Sequence, residues 1–274
     1  MSVFDHTQCQ LGEGPLWHPE RQSLFWFDVL GRRLHGEGAV RQFDECVSAA
    51  GWIDHDHLLI ASETRLFTYH LETGAQKHIA PLEANNPVTR SNDGRADPFG
   101  GFWIGSMGKD HEKFAGAIHR YYRGTVETLF SGLTVANAIC FTPDKRFAHY
   151  TDTFTRQIMR VELDGEGWPK GAGQVFIDTK AEGLNPDGAV VDTDGCLWVA
   201  QWGAARVARY GPDGQFMGAV SVAAKQASCP AFGGADLSVL FITSAATGLD
   251  GPDEGKTFAI PTQARGQREH RVIV

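Results

Sequence analysis

Apolar residues recur along this chain in short bursts, each too brief for a helix and each bounded by turn-forming residues. Six of the bursts share one shape: residues 24–28 (LFWFD), 58–62 (LLIAS), 102–106 (FWIGS), 148–152 (AHYTD), 197–201 (LWVAQ) and 240–244 (LFITS). The fifth place is always small or polar: Asp28, Ser62, Ser106, Asp152, Gln201 or Ser244. Their starts lie 34 to 49 residues apart, close to the repeat of about 40 to 50 residues that one propeller blade occupies. Clusters such as His18-Pro19-Glu20-Arg21, Pro143-Asp144-Lys145 and Asp194-Gly195 precede the runs, as hairpin turns would. Alternating stretches follow them, for example Gln157-Ile158-Met159-Arg160-Val161 and Arg206-Val207-Ala208-Arg209-Tyr210. Period-two alternation describes half-buried strands. The pattern predicts an all-β, six-bladed β-propeller with four-stranded blades around a central channel, residues 1–274 forming one domain. The C-terminal residues 268–274 (REHRVIV) read as a further strand, placed to close the ring beside chain from the other terminus.

Innermost strands line the channel of such a fold, so polar residues where the chain enters those strands converge on the axis. Glu13, Asn137 and Asp187 stand 10 or 11 residues ahead of the run in their own blades, and Asn92 stands 10 ahead of its run. They therefore hold equivalent places in different blades. Two carboxylates and one or two amide oxygens, with no cysteine among them, suit a hard divalent cation: Ca²⁺, Mg²⁺ or Mn²⁺, with Fe²⁺ or Zn²⁺ as further options. Taken singly, Asn92-Asp93-Gly94 and Pro186-Asp187-Gly188 are ordinary turn sequences. Asp28 and Asp152, inside the repeat, read as structural hydrogen-bonders.

Composition narrows the field. The chain has 42% hydrophobic and 21% charged residues, enough for a core without disulfides, and 32 glycines suit a turn-rich β fold. A formal charge of −8 argues against nucleic acid, which is held by clustered Lys and Arg. No apolar stretch reaches the roughly 18 to 20 residues of a membrane span, and the N-terminus lacks the marks of a signal peptide, so the expectation is a cytoplasmic protein, a monomer or small homo-oligomer. Five cysteines at irregular spacing read as free thiols. HExxH, GxSxG and phosphate-loop motifs are all absent.

Several segments taken together, Leu11-Gly12-Glu13-Gly14-Pro15-Leu16-Trp17, Arg90-Ser91-Asn92-Asp93-Gly94, Pro186-Asp187-Gly188, Leu197-Trp198-Val199-Ala200 and Phe232-Gly233-Gly234-Ala235-Asp236-Leu237, resemble the senescence marker protein, gluconolactonase and luciferin-regenerating family. That resemblance covers nearly the whole chain. It implies a six-bladed propeller that hydrolyses aldonolactones, with one divalent ion held by Glu13, Asn137 and Asp187. It also implies contact of Arg90 and Asn92 with the sugar. Asp187 is then the expected catalytic base. Two places depart from the family pattern: Asn137 is followed by Ala138 where Gly is common, and residues 107–114 (MGKDHEKF), part of a substrate-facing lid in relatives, are individual here. A calcium-dependent phosphotriesterase or aryl esterase on the same scaffold, and a non-enzymatic binding propeller, are the alternatives, since a fold alone does not set function.

Overall fold

Each of the six shared apolar runs becomes the second strand of a four-stranded antiparallel sheet in the computed structural model, which describes residues 1–274. Blade one runs from Gly12–His18 to Ala39–Gln42, blade two from Val47–Trp52 to Gln76–Pro81, and blade three from Thr89–Ala96 to Thr125–Leu133. Blade four runs from Ala136–Phe141 to Gln174–Asp178, and blade five from Asn185–Val191 to Phe216–Ser221. Blade six joins Ala227–Gly233, Val239–Ser244 and Thr257–Pro261 to Ser2–Asp5 from the opposite end of the chain. Adjacent innermost strands touch in a closed circle, blade six against blade one included. The architecture is a six-bladed β-propeller. A single 3-10 turn, Thr153–Thr155, is its one helical element, and no helix is long and apolar enough to cross a membrane.

Burial explains the sequence pattern. A second strand is covered on both faces by neighbouring blades, so Leu24, Phe25, Trp26 and Phe27 are all buried, and apolar residues run on without alternation. Outermost strands are more exposed: Gln76, Lys77 and His78 of blade two face solvent, as do Phe216 and Met217 of blade five. Hydrophobic clusters lie between blades. The largest joins Phe25, Phe27 and Leu34 of blade one to Trp52, Leu58 and Phe67 of blade two, and the smallest seals blade six to blade one through Trp17 stacked on Phe241 at 5.5 Å. All five cysteines are free thiols, four of them buried.

The C-terminal expectation is corrected. Residues 268–274 form no strand; the outer place in blade six belongs to Ser2–Asp5, anchored by Phe4 against Phe241 at 4.9 Å. Instead the tail crosses the channel where the innermost strands finish. Trp52, Phe141 and Val191 each end an innermost strand, and their carbonyls have no further ladder partner in their sheets. Val272 N donates to Trp52 O at 2.9 Å, and Gln267 Nε2 donates to both Phe141 O and Val191 O at 3.0 Å. Buried carbonyls must find donors, and the tail supplies them. Glu269 pairs there with the buried Arg95. Ending the chain at Gly266 strands that guanidinium, so we expect the unfolding free energy in urea to drop by about 3 to 5 kcal/mol. Unchanged stability would show that the tail merely lies on the surface.

Candidate active site

Cross-strand pairing sets the geometry of the other end of the channel. The fifth-position residues Asp28, Ser62, Ser106, Asp152, Gln201 and Ser244 pair with Gly12, Val47, Ser91, Ala136, Pro186 and Ala227. The next residue on each innermost strand is Glu13, Ser48, Asn92, Asn137, Asp187 or Ser228. All six are polar and all are buried, so one ring of side chains surrounds the axis. The ladder of every blade shifts register at this point. Such bulges bend the strand and re-aim side chains. Asn92-Asp93-Gly94 and Pro186-Asp187-Gly188 thus lie within strands, at bulges, rather than in free turns.

Asp28 and Asp152 hold the chain as it enters the ring. Leu11 N donates to Asp28 Oδ1 at 3.0 Å, while Thr134 N and Val135 N donate to the two oxygens of Asp152 at 3.0 Å each. The structural role expected of both aspartates is what the hydrogen bonds display. Gly14, at φ +54°, has no room for a side chain, since a Cβ there would stand 2.2 Å from Ser48 O. Ala138, the counterpart in blade four, also has φ +54°. A left-handed alanine is strained by about 1 to 2 kcal/mol, part of which a glycine loses again through unfolded-chain entropy. Ala138→Gly is therefore expected to raise stability by about 0.5 kcal/mol, read as a higher urea midpoint at constant slope. A lower midpoint would mean that the Ala138 methyl group is held by packing.

The predicted site residues come together. Arg90 Nη1 donates to Asn92 Oδ1 and to Ser91 O, both at 2.8 Å. Asn92 Nδ2 donates to Asn137 Oδ1 at 2.9 Å and to Ala136 O at 3.0 Å. Asn137 Nδ2 donates to Thr153 Oγ1 at 2.9 Å, and that hydroxyl donates to Pro186 O at 2.7 Å, next to Asp187. This chain of bonds crosses three blades and turns Asn137 Oδ1, which keeps a second lone pair, toward the ring. Glu13 accepts only the Gly14 amide, at 3.0 Å. Burial, then the neighbouring Asp93, pushes Glu13 up to about 8, with Arg90 opposing. Burial, then Glu13 and Asp93, holds Asp187 well above the usual carboxylate range. Burial draws Arg90 down, against the raising fields of Cys46, Glu13, Glu63 and Asp187.

Two buried carboxylates with raised proton affinity, beside an amide oxygen and with no side-chain donor on either acid, are a donor set that fits a hard divalent cation. Ser48 and Ser228, which sequence reasoning passed over, complete the ring without adding to that set. Ser48 Oγ donates to Ser91 Oγ at 2.8 Å, and Ser228 Oγ donates to Gly12 O. Their offset from the apolar run, 10 and 12 residues, was the available signal. At the mouth, residues 107–114 end in an exposed Phe114, and Lys113 Nζ lies 5.0 Å from the centre of the exposed Phe154 ring. Lys109 is tied to Glu63.

Comparison with known proteins places this arrangement. Residues 11–246 match the family described as the SMP-30/gluconolactonase/LRE-like region. A Rhizobium meliloti (strain 1021) protein that carries the provisional name sugar lactone lactonase is 41% identical over 97% of this chain and 95% of its own length. The pentonolactonase XacC of Haloferax volcanii is 32% identical, over 97% of this chain and 95% of the relative. Among solved structures, regucalcin of Agrobacterium tumefaciens str. C58, described as a calcium-binding protein, superposes with a TM-score of 0.97 at 37% identity, covering 100% of this chain and 97% of that one. From the ring of channel residues to the length of these matches, the chain belongs to the SMP-30/gluconolactonase/LRE-like family.

Proposed function

We propose that this protein is a sugar lactone hydrolase that opens an aldonolactone to its aldonic acid with the help of one divalent cation. The observation that carries the reading is the convergence of Glu13, Asn137 and Asp187 at equivalent bulges of three blades, beside Arg90 and Asn92. The names of the Rhizobium and Haloferax relatives support the lactone as substrate, and the calcium-binding Agrobacterium protein supports a cation. Glu13, Asp187 and Asn137 Oδ1 would hold the ion. When bound, it supplies Lewis-acid polarisation of the ester carbonyl.

The remaining work falls to the chain's own side chains. Asp187 takes a proton from the water whose oxygen bonds to the carbonyl carbon, and returns it to the ring oxygen as the ring C–O bond breaks. Arg90 directs one nitrogen, Nη1, to Asn92 and Ser91, which leaves Nε and Nη2 as donors for sugar hydroxyls or the ring oxygen. Asn92, fixed by Arg90 on one side and Asn137 on the other, orients the sugar, so that the carbonyl meets the reacting water in one pose.

Rates on pentonic and hexonic lactones, set beside phenyl acetate and a dialkyl aryl phosphotriester, test this assignment. A site built to hydrogen-bond hydroxyls should favour a lactone by at least about 100-fold in kcat/KM. A preference for the phosphotriester or the aryl ester would move the assignment to those substrates, and cation binding without turnover would favour a binding propeller.

A further inference from the structure

Asp93 is buried one residue beyond the ring and takes no part in the proposed ligand set or in substrate contact. Its Oδ2 accepts the backbone amide of Ile139 at 2.7 Å. Ile139 lies in the bulge of blade four, between the pairs Asn137↔Thr151 and Cys140↔His149, where one extra residue interrupts the ladder. Asp93 itself lies in the bulge of blade three, between Ser91 and Gly94. The two bulges are thus tied directly. Asn92 grips the same segment from its other end, taking Ala136 O and Asn137 Oδ1.

We propose that Asp93 is a positioning residue that clamps the blade-four bulge through the Ile139 amide and so aims Asn137 at the cation. Resting on the proposed metal-dependent reading, it adds a residue that acts through another. A free bulge has soft φ and ψ angles, and Ala138 is held at φ +54° within this one. With the Ile139 amide fixed to blade three, the segment 136–139 is anchored at both ends and Asn137 Oδ1 keeps its direction. An acceptor oxygen is all that the clamp requires. Asparagine in place of Asp93 supplies one at the same reach, whereas alanine does not. Burying a carboxylate near Glu13 and Asp187 is unfavourable by itself, and the strong bond that a charged acceptor makes to a backbone amide offsets part of that.

Calorimetric binding of Mn²⁺ to the full chain, with hydrogen exchange at the Ile139 amide, decides the matter. Asp93→Ala should weaken Mn²⁺ binding by about tenfold or more, as loss of an outer partner of a metal ligand does. Asp93→Asn should stay within about twofold of the parent and keep Ile139 protected, while Asp93→Ala exposes that amide to exchange. In Asn137→Ala protein the added Asp93→Ala change should have no further effect, because the clamp has nothing left to aim. Equal losses in Asp93→Asn and Asp93→Ala would assign Asp93 an electrostatic role and overturn the proposal, as would additive losses in the double variant. If Asp93→Ala fails to fold, Asp93→Asn alone decides: retained Mn²⁺ affinity with a protected Ile139 amide supports the clamp, and loss of either overturns it. An Asn137→Ala loss with Asp93→Ala unaffected would remove the clamp and leave the metal reading standing. Absence of Mn²⁺ binding by the unaltered protein would overturn both.

Discussion

Asp187→Asn is expected to lower turnover on lactones by about 1,000-fold, the middle of the range for removing a positioned general base. The substitution keeps the volume and the polar character of the side chain, so packing in the channel wall is preserved. It removes a basic oxygen from the reacting water and an anionic donor from the proposed cation set. A buried acid that desolvation, then Glu13 and Asp93, hold well above the usual carboxylate range also disappears, so the cation-free protein should be no less stable than the parent. Steady-state rates alongside thermal unfolding read both effects. Turnover within tenfold of the parent would take Asp187 out of the chemistry, and loss of folding would make it a structural residue.

Stability of the cation-free protein is expected to fall as pH rises from about 5 to about 8. Burial and Asp93 push Glu13 up to about 8, and Asp187 shifts in the same direction. Folded protein therefore keeps protons in this window that the unfolded chain, with carboxyls near about 4.3, has released. Where the folded state binds more protons, the unfolding free energy declines with rising pH, here by a few kcal/mol in order of magnitude. At about 2 °C for each kcal/mol in a chain of this size, Tm should drop by on the order of 5 °C. A divalent cation replaces the protons, so its stabilising effect should grow across the same range. Glu13→Gln should lessen the slope without abolishing it, because burial and Asp93 still hold Asp187 up. A flat profile in cation-free parent protein would contradict the raised proton affinity of the buried Glu13 and Asp187.

The fold was legible because second strands are buried on both faces. Sequences such as LFWFD and LWVAQ cannot alternate when each side meets another blade, and their repetition marks six blades. The polar ring was legible as an offset from those runs, and Glu13, Asn92, Asn137 and Asp187 do share one register position. Serine carries no such signal, because Ser48 and Ser228 look like any polar residue until cross-strand pairing aligns them. The tail was misread for a physical reason: its β-branched ending, Val272-Ile273-Val274, resembles a strand, yet the tail's partners are carbonyls at the ends of separate blades. Nor could the role of Asp93 be read from sequence, since its partner is a backbone amide 46 residues away.

The most direct test of the account is hydrolysis of pentonic and hexonic lactones by chelator-treated protein, before and after resupply of Mg²⁺, Ca²⁺, Mn²⁺, Fe²⁺ or Zn²⁺, with spontaneous ring opening subtracted. Negligible turnover after chelation and recovery with at least one cation, on the same protein sample, is the expected result. Full activity without any cation, or no turnover with any pairing of lactone and ion, would contradict it.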